Sequence, residues 1–397
     1  MKKKVLFVLS RFPYPLTKGD KVRAYHQIRK LSESCDVYLV ALSDVHVSKK
    51  SIAALDPYCK EIHAFRLYYW TIIFSVCKFF LFTDKPAQVG YFFNKRIFEK
   101  ICHTISVIQP DHIFCQLIRT SEYVRKISGI PKTLDYMDAL SAGMERREKY
   151  APKLTRFLFK TEASRLRKYE HNICKSFDSC CIISEFDREL IFRSENKDIT
   201  VLPNGIDADY FHDLHRKIKY DLLFTGNMSY PPNVQSARYL VENIMPLIWE
   251  KRPDTSLLIS GDNPEKSILK CKSDKVNIEG WIDDIRESYS SSLIFIAPML
   301  MGSGIQNKLL EAMAMNLPCI TSKLANRALN AEEGSEILVG NNDKEYAEHI
   351  YTLLENEQIR IQIAKKGRKF VTDHFEWSTS NQILLNILNN SNVESPS

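Results

Sequence analysis

The sequence predicts an α/β protein made of two doubly wound parallel sheets. Three observations predict it. The chain has 397 residues, which suits two domains of about 150–200 residues better than one. Short, continuously apolar runs alternate with segments of helical period, the pattern of parallel strands covered on both faces by connecting helices. The same alternation starts afresh after Val201-Leu202-Pro203-Asn204-Gly205, where Pro and Asn-Gly supply turn chemistry.

In the first half, Val5–Ser10, Val37–Leu42, His112–Cys115 and Ser179–Ser184 read as buried strands, with Asp20–Leu31 and Ala163–Cys174 as helices between them. In the second half, Asp221–Thr225 is a strand ended by Gly226-Asn227, and Gln235–Trp249 is a helix. Ser256–Ser260, Val276–Glu279, Leu293–Ala297 and Cys319–Ser322 are further strands, followed by helices at Lys344–Asn356, Gln358–His374 and Ser378–Asn389. The polar tail Asn389–Ser397 is expected to fray. In such sheets ligands sit at the carboxyl ends of the strands, here expected in the cleft between the domains.

Composition narrows the function. Hydrophobic residues make up 44% and charged residues 26%, which excludes a disordered chain. The formal net charge of +7 comes with no recognisable nucleic-acid module, so anionic small molecules or an anionic membrane surface are the expected partners, and nucleic acid is not. The 10 cysteines form no Cys-x-x-Cys pair and no zinc-spaced cluster, and read as reduced thiols of a cytoplasmic protein. Cys180 and Cys181, as strand neighbours, should face opposite ways. After Met1-Lys2-Lys3-Lys4 the apolar run Val5–Leu9 is shorter than a signal sequence needs, so it is read as a first strand. Leu67–Phe82, with Lys78 inside it, is too short to span a bilayer. It is expected either to be buried or to lie at a membrane surface. The stretch Arg146–Lys168, rich in Arg and Lys around Phe157-Leu158-Phe159, is either a solvated helix or a basic amphipathic one suited to the inner face of the membrane.

The most informative stretch is Ala297 to Ser322. A strand ends at Pro298, a glycine turn follows at Gly302-Ser303-Gly304, and a helix runs from near Ile305 to about Met315. The glycines allow close approach of backbone to a ligand. The N–H groups of Gly304 and Ile305 at the helix start suit an anion. Lys308, one turn in, can neutralise a diphosphate, and Glu311, on the same face, can hold two adjacent hydroxyls such as those of ribose. From spacing alone, a surface turn followed by a Lys–Glu helix pair explains the stretch equally well.

Leu310-Glu311-Ala312-Met313-Ala314 with Pro318 resembles the donor-binding motif of family 4 glycosyltransferases, which have the GT-B fold. Leu202-Pro203-Asn204-Gly205-Ile206-Asp207 with Phe211 resembles the family's interdomain signature. Phe224-Thr225-Gly226-Asn227-Met228 with Pro231-Pro232-Asn233 resembles the first strand and turn of its donor domain. Gly280-Trp281 with Asp283-Asp284 resembles its base-contacting loop. Phe12-Pro13-Tyr14-Pro15 with Gly19 and Arg23 resembles the first turn of its acceptor domain. The likeness covers nearly the whole chain in order and is greatest to the sugar transferases of bacterial exopolysaccharide clusters.

The resemblance implies an acceptor-side domain over 1–204, a donor domain over 205–375, and a helix and tail over 376–397 that pack back on the first domain. It implies a hexosyltransferase-like enzyme that uses a nucleotide-diphosphate sugar, retains anomeric configuration and acts on a glycan or lipid-linked acceptor in surface polysaccharide synthesis. No cofactor or metal is expected, since Lys308 can meet the leaving diphosphate. The expected donor residues are Gly226, Asn227, Trp281, Ser303, Gly304, Ile305, Lys308 and Glu311. Where the family often carries a Glu eight positions before the ribose Glu, this chain has Ser303, which leaves open the donor hydroxyl read there.

On the acceptor side, Gly19 and Arg23 are candidates for contacting acceptor or phosphate oxygens, although a structural turn and a solvated helix face explain them as well. Of Asp135 and Asp138, one is expected to meet the acceptor hydroxyl, with Asp138 the catalytic candidate beside Lys308; a turn or a helix cap is the alternative. Asp283-Asp284 reads as a helix N-cap region. A nucleotide-sugar epimerase of the same fold, a non-catalytic partner that only binds nucleotide sugar, and a membrane-surface scaffold remain the competing functions.

Overall fold

The computed structural model describes residues 2–192, 199–301 and 304–390. Gly302 and Ser303 of the glycine turn, and the tail from 391, lie outside the described residues. The chain divides into two compact units, Met1–Asn204 with Trp377–Ser397, and Gly205–Glu376.

The first unit carries a seven-stranded sheet: β1 (Lys3–Leu9), β2 (Cys35–Ser43), β3 (Glu61–Arg66), β4 (His112–Gln116), β5 (Lys132–Asp135), β6 (Ser179–Ile182) and β7 (Ile199–Val201). The order is β3-β2-β1-β4-β5-β6-β7, and every pairing is parallel, with Leu9 opposite both Ala41 and Gln116. The period of two in a strand splits β1 between two cores. Leu6 and Val8 pack on one face and Val5, Phe7 and Leu9 on the other, all without solvent exposure. Helices therefore cover both faces, and the unbroken apolar run of β1 follows. Cys180 and Cys181 divide between the same two cores. All ten cysteines are free. The final helix, Trp377–Asn390, belongs to this unit: Leu384 and Leu388 join the Val5 core, Trp377 stacks on His26 at 4.8 Å, and the Ser380 hydroxyl donates to the Pro203 carbonyl.

The second unit holds six parallel strands: β8 (Tyr220–Thr225), β9 (Leu257–Ser260), β10 (Val276–Glu279), β11 (Ser292–Ala297), β12 (Cys319–Ser322) and β13 (Leu338–Gly340). They are ordered β10-β9-β8-β11-β12-β13. Chain direction across the sheet reverses between β1 and β4 in one unit and between β8 and β11 in the other. Such switch points open a crevice at the carboxyl ends of the strands, where ligands of this architecture bind.

Two helices extend well beyond their expected bounds. The helix expected over Ala163–Cys174 runs from Lys153 to Ile173, and its buried positions begin only at Glu162. Its first turns carry the apolar residues Leu154, Phe157 and Leu158 but leave them exposed. The helix expected over Gln235–Trp249 spans Pro231–Lys251 and contains a π-helical turn at Leu240–Ile244. Pro246 has no N–H to return to the preceding turn, and the wider turn absorbs that missing bond.

Candidate active site

In the second unit the site grows from the ends of β8 and β11. The chain leaves β8 through Gly226, whose φ of +150° favours glycine. A Cβ there would meet Asn233 Nδ2 at 2.6 Å and Lys308 Nζ at 2.9 Å. A second glycine, Gly261 after β9, sits so close that its Cβ would fall 1.8 Å from the Gly226 carbonyl oxygen. Asn227 closes the turn by accepting on its carbonyl from Asn233 Nδ2 at 2.9 Å. After β11 the chain reaches Gly304, at φ +71°, then Ile305 and the helix Asn307–Ala314, which starts two residues later than expected and has no side-chain cap. An uncapped helix start directs N–H groups and the positive dipole end toward an anion.

Lys308 and Glu311 both point inward from this helix. The Lys308 ammonium donates to Asn233 Oδ1 at 2.6 Å and lies 4.5 Å from the centre of the Phe224 ring. Burial lowers its pKa to about 7, against a smaller opposing pull from Glu311. Glu311 accepts from the Tyr289 hydroxyl at 2.8 Å, and Thr225 Oγ1 stands 3.0 Å from that hydroxyl. Burial raises the Glu311 pKa, with Tyr289 and Lys308 opposing. A cation short of a counter-charge beside a carboxylate kept partly desolvated suits a ligand that carries an anion and vicinal hydroxyls together. The structure thus brings together Gly226, Asn227, Gly304, Ile305, Lys308 and Glu311. Ser303 falls outside the described residues.

Trp281 follows β10, the edge strand two places from β8 in the sheet. It is 61% exposed, and its indole N–H donates to Asp283 at 3.0 Å. Asp284 is held by Arg286, which lowers its pKa, and also receives the Arg286 backbone N–H near the start of the short helix Arg286–Ser290.

The first unit corrects two of the expected acceptor contacts. Arg23 and Asp135 have no solvent exposure and bind each other: Arg23 Nε donates to Asp135 Oδ2 at 2.6 Å. The guanidinium also reaches Asn204 Oδ1 at 3.0 Å and the Leu202 carbonyl at 2.8 Å. These two residues are an internal tie between the first helix, β5 and the segment after β7, and not contacts for acceptor oxygens. Asp138, three residues beyond Asp135, is partly exposed after β5 and within electrostatic reach of Arg119, Glu170 and Asp187. Gly19 is exposed at the start of the first helix, Gly19–Leu31.

Several groups at these sites escaped the sequence reading. Asn233 sits within the quoted Pro-Pro-Asn motif, which was the available signal. Tyr289 has none, since it comes from a different helix. Arg11 and Arg119, at the ends of β1 and β4, hold guanidinium carbons 5.8 and 5.6 Å from the Phe92 ring centre. Burial and Arg11 both depress the Arg119 pKa. Among the described residues, no group of three or more His, Cys, Asp or Glu is placed to hold a metal ion.

Residues 219–356 match the family described as glycosyl transferases group 1. The second unit carries a group 1 glycosyltransferase domain. Over 395 residues the chain is 23% identical to an "Uncharacterized 44.6 kDa protein in cps region" of Klebsiella pneumoniae, covering 94% of this chain and 96% of that one. It is 23% identical over 208 residues to a phosphatidyl-myo-inositol mannosyltransferase of Mycobacterium leprae, covering 49% of this chain and 54% of that one. The fold matches Anabaena Alr3699/HepE, crystallised with UDP, at a TM-score of 0.69 and 14% identity over 98% of this chain and all of the other. The two parallel-sheet units have the GT-B fold, and the match to a transferase family lies within the second unit.

Proposed function

We propose that this glycosyltransferase moves a sugar from a nucleotide-diphosphate donor to a glycan or lipid-linked acceptor in surface polysaccharide synthesis, with retention of configuration. The observation that carries the proposal is the inward pair on the Asn307–Ala314 helix. Lys308 beside the Gly226 turn suits the diphosphate, and Glu311 suits the ribose hydroxyls. Backbone N–H groups at Gly304 and Ile305 lie where leaving-group charge would develop, and Trp281 offers a face for the base. The charge on Lys308 serves the departing diphosphate without a metal. On the first unit, Asp138 meets the acceptor hydroxyl and Gly19 leaves room for it. The HepE structures with UDP and UDP-glucose support a nucleotide-sugar donor. The cps-region relative supports the polysaccharide setting. Retention rests on the resemblance of the Leu310–Ala314 motif.

Calorimetric titration with UDP, GDP and ADP tests the donor site, with Glu311→Ala alongside. Loss of a charged hydrogen bond costs about 1.5–3 kcal/mol, or roughly ten- to hundredfold in affinity. One nucleotide should bind, and the variant should weaken it by that factor. A folded protein that binds none of the three refutes the proposal.

A further inference from the structure

The helix Tyr69–Phe82 is not a core helix. Only Ile72, Ser75 and Phe79 are buried, while Trp70 is 78%, Phe74 73% and Phe82 80% exposed. A second run of exposed apolar side chains, Leu154, Phe157 and Leu158, opens the long helix Lys153–Ile173. The two helices meet at Arg165. Arg165 donates to the Phe80 carbonyl at 2.8 Å and places its guanidinium carbon 4.9 Å from the Phe80 ring centre. Leu154, Leu158 and Arg165 are four and then seven residues apart, so they share one stripe of that helix. Together these segments hold nine of the twenty exposed large hydrophobic residues among those described.

Charge says what covers this surface. The 69–82 helix contains Lys78 and no carboxylate, and residues 146–168 hold nine Lys and Arg against two Glu. Lys149, Lys153 and Lys160 are exposed. A second copy docked by the same face in a symmetric dimer would set this basic stretch against itself. An anionic lipid surface would accept both features: aromatic and aliphatic side chains enter at headgroup depth, and the lysines meet the phosphates. Tyr69 and Trp70 at one end of the helix are the side chains favoured at that depth. Fourteen residues of helix span about 21 Å, short of the ~30 Å apolar core. Among the described residues no helix is long and apolar enough to cross a membrane. The geometry points to a helix lying in the plane of the interface.

We infer that the Tyr69–Phe82 helix and the start of the Lys153–Ile173 helix form a docking surface for an anionic phospholipid membrane. The test is flotation of the full chain with vesicles of phosphatidylcholine alone and of phosphatidylcholine mixed with phosphatidylglycerol, at low and high salt. Wild type should float with the mixed vesicles only and be released by salt. Trp70→Ser/Phe74→Ser and Lys153→Glu/Lys160→Glu alter exposed positions, and each should bind the mixed vesicles at least about tenfold more weakly. Nucleotide affinity should remain that of wild type. Three results overturn the inference: no flotation of folded wild type with the mixed vesicles, equal flotation with both vesicle types, or double variants that float as wild type does. A dimer in size-exclusion chromatography that Trp70→Ser/Phe74→Ser dissociates would make a second copy the occupant and overturn it too. Loss of nucleotide binding in every protein would sink the donor-site proposal and leave this one standing.

Discussion

Lys308 should take up a proton when nucleotide binds. Its ammonium is enclosed by Asn233 and the Phe224 ring, and burial lowers its pKa to about 7. At pH 8 the free protein then carries the Lys308 proton in only about one molecule in ten. A diphosphate placed against the ammonium favours the charged form and returns the pKa toward the ordinary lysine range near 10.4, so binding should draw in about 0.9 proton. Titrations at pH 8 in buffers of different ionisation enthalpy measure this as the slope of observed enthalpy against buffer enthalpy. Lys308→Met should remove the uptake and weaken binding together. Uptake should shrink below pH 7, where the lysine is already charged. A slope near zero with tight binding, or an unchanged slope in Lys308→Met, would refute the placement of Lys308 against the phosphates. The same shift has a stability consequence. The unfolded chain holds the Lys308 proton more tightly between about pH 7 and 10.4, so without nucleotide this group makes stability rise with pH across that window.

Other outcomes follow from the same side chains. Gly226→Ala would force a Cβ to 2.6 Å from Asn233 Nδ2 and 2.9 Å from Lys308 Nζ at a φ that disfavours it; nucleotide affinity should fall by at least about tenfold while the protein stays folded, as calorimetry and circular dichroism would show. Arg23→Met strands the buried Asp135 carboxylate, so urea denaturation should report a loss of about 3–5 kcal/mol; a loss under 1 kcal/mol would contradict the buried tie. Burial raises Glu170 to about 7, so this group contributes most stability below the unfolded value and loses it as pH rises toward 7. Glu170→Gln, neutral throughout, should gain on wild type by up to roughly 3 kcal/mol between pH 4.5 and 8, and parallel denaturation curves across that range would argue against it.

The two-sheet architecture was legible because a parallel strand buried on both faces leaves an unbroken apolar run. Val5–Leu9 and Leu293–Ala297 could hardly be anything else. Three of the four edge strands were not legible: β3 has no unbroken apolar run and is partly exposed along its length, and β7 and β13 are three residues each, whereas the edge strand β10 was expected at Val276–Glu279. The donor loop was legible for a local reason. Gly226, Gly304, Lys308 and Glu311 act through backbone conformation and helix periodicity, both of which a short stretch of sequence encodes. What the tertiary structure alone decided is which charge meets which. Arg23 and Asp135 look like a phosphate contact and an acceptor contact at the ends of separate elements. They become one buried pair because the sheet brings residues 112 positions apart to 2.6 Å. Tyr289 reaches Glu311 for the same reason. The exposure of the 69–82 helix was equally undetermined by its apolar sequence, since composition favours burial or a lipid surface alike, and only the surrounding packing shows that the protein leaves Trp70, Phe74 and Phe82 uncovered.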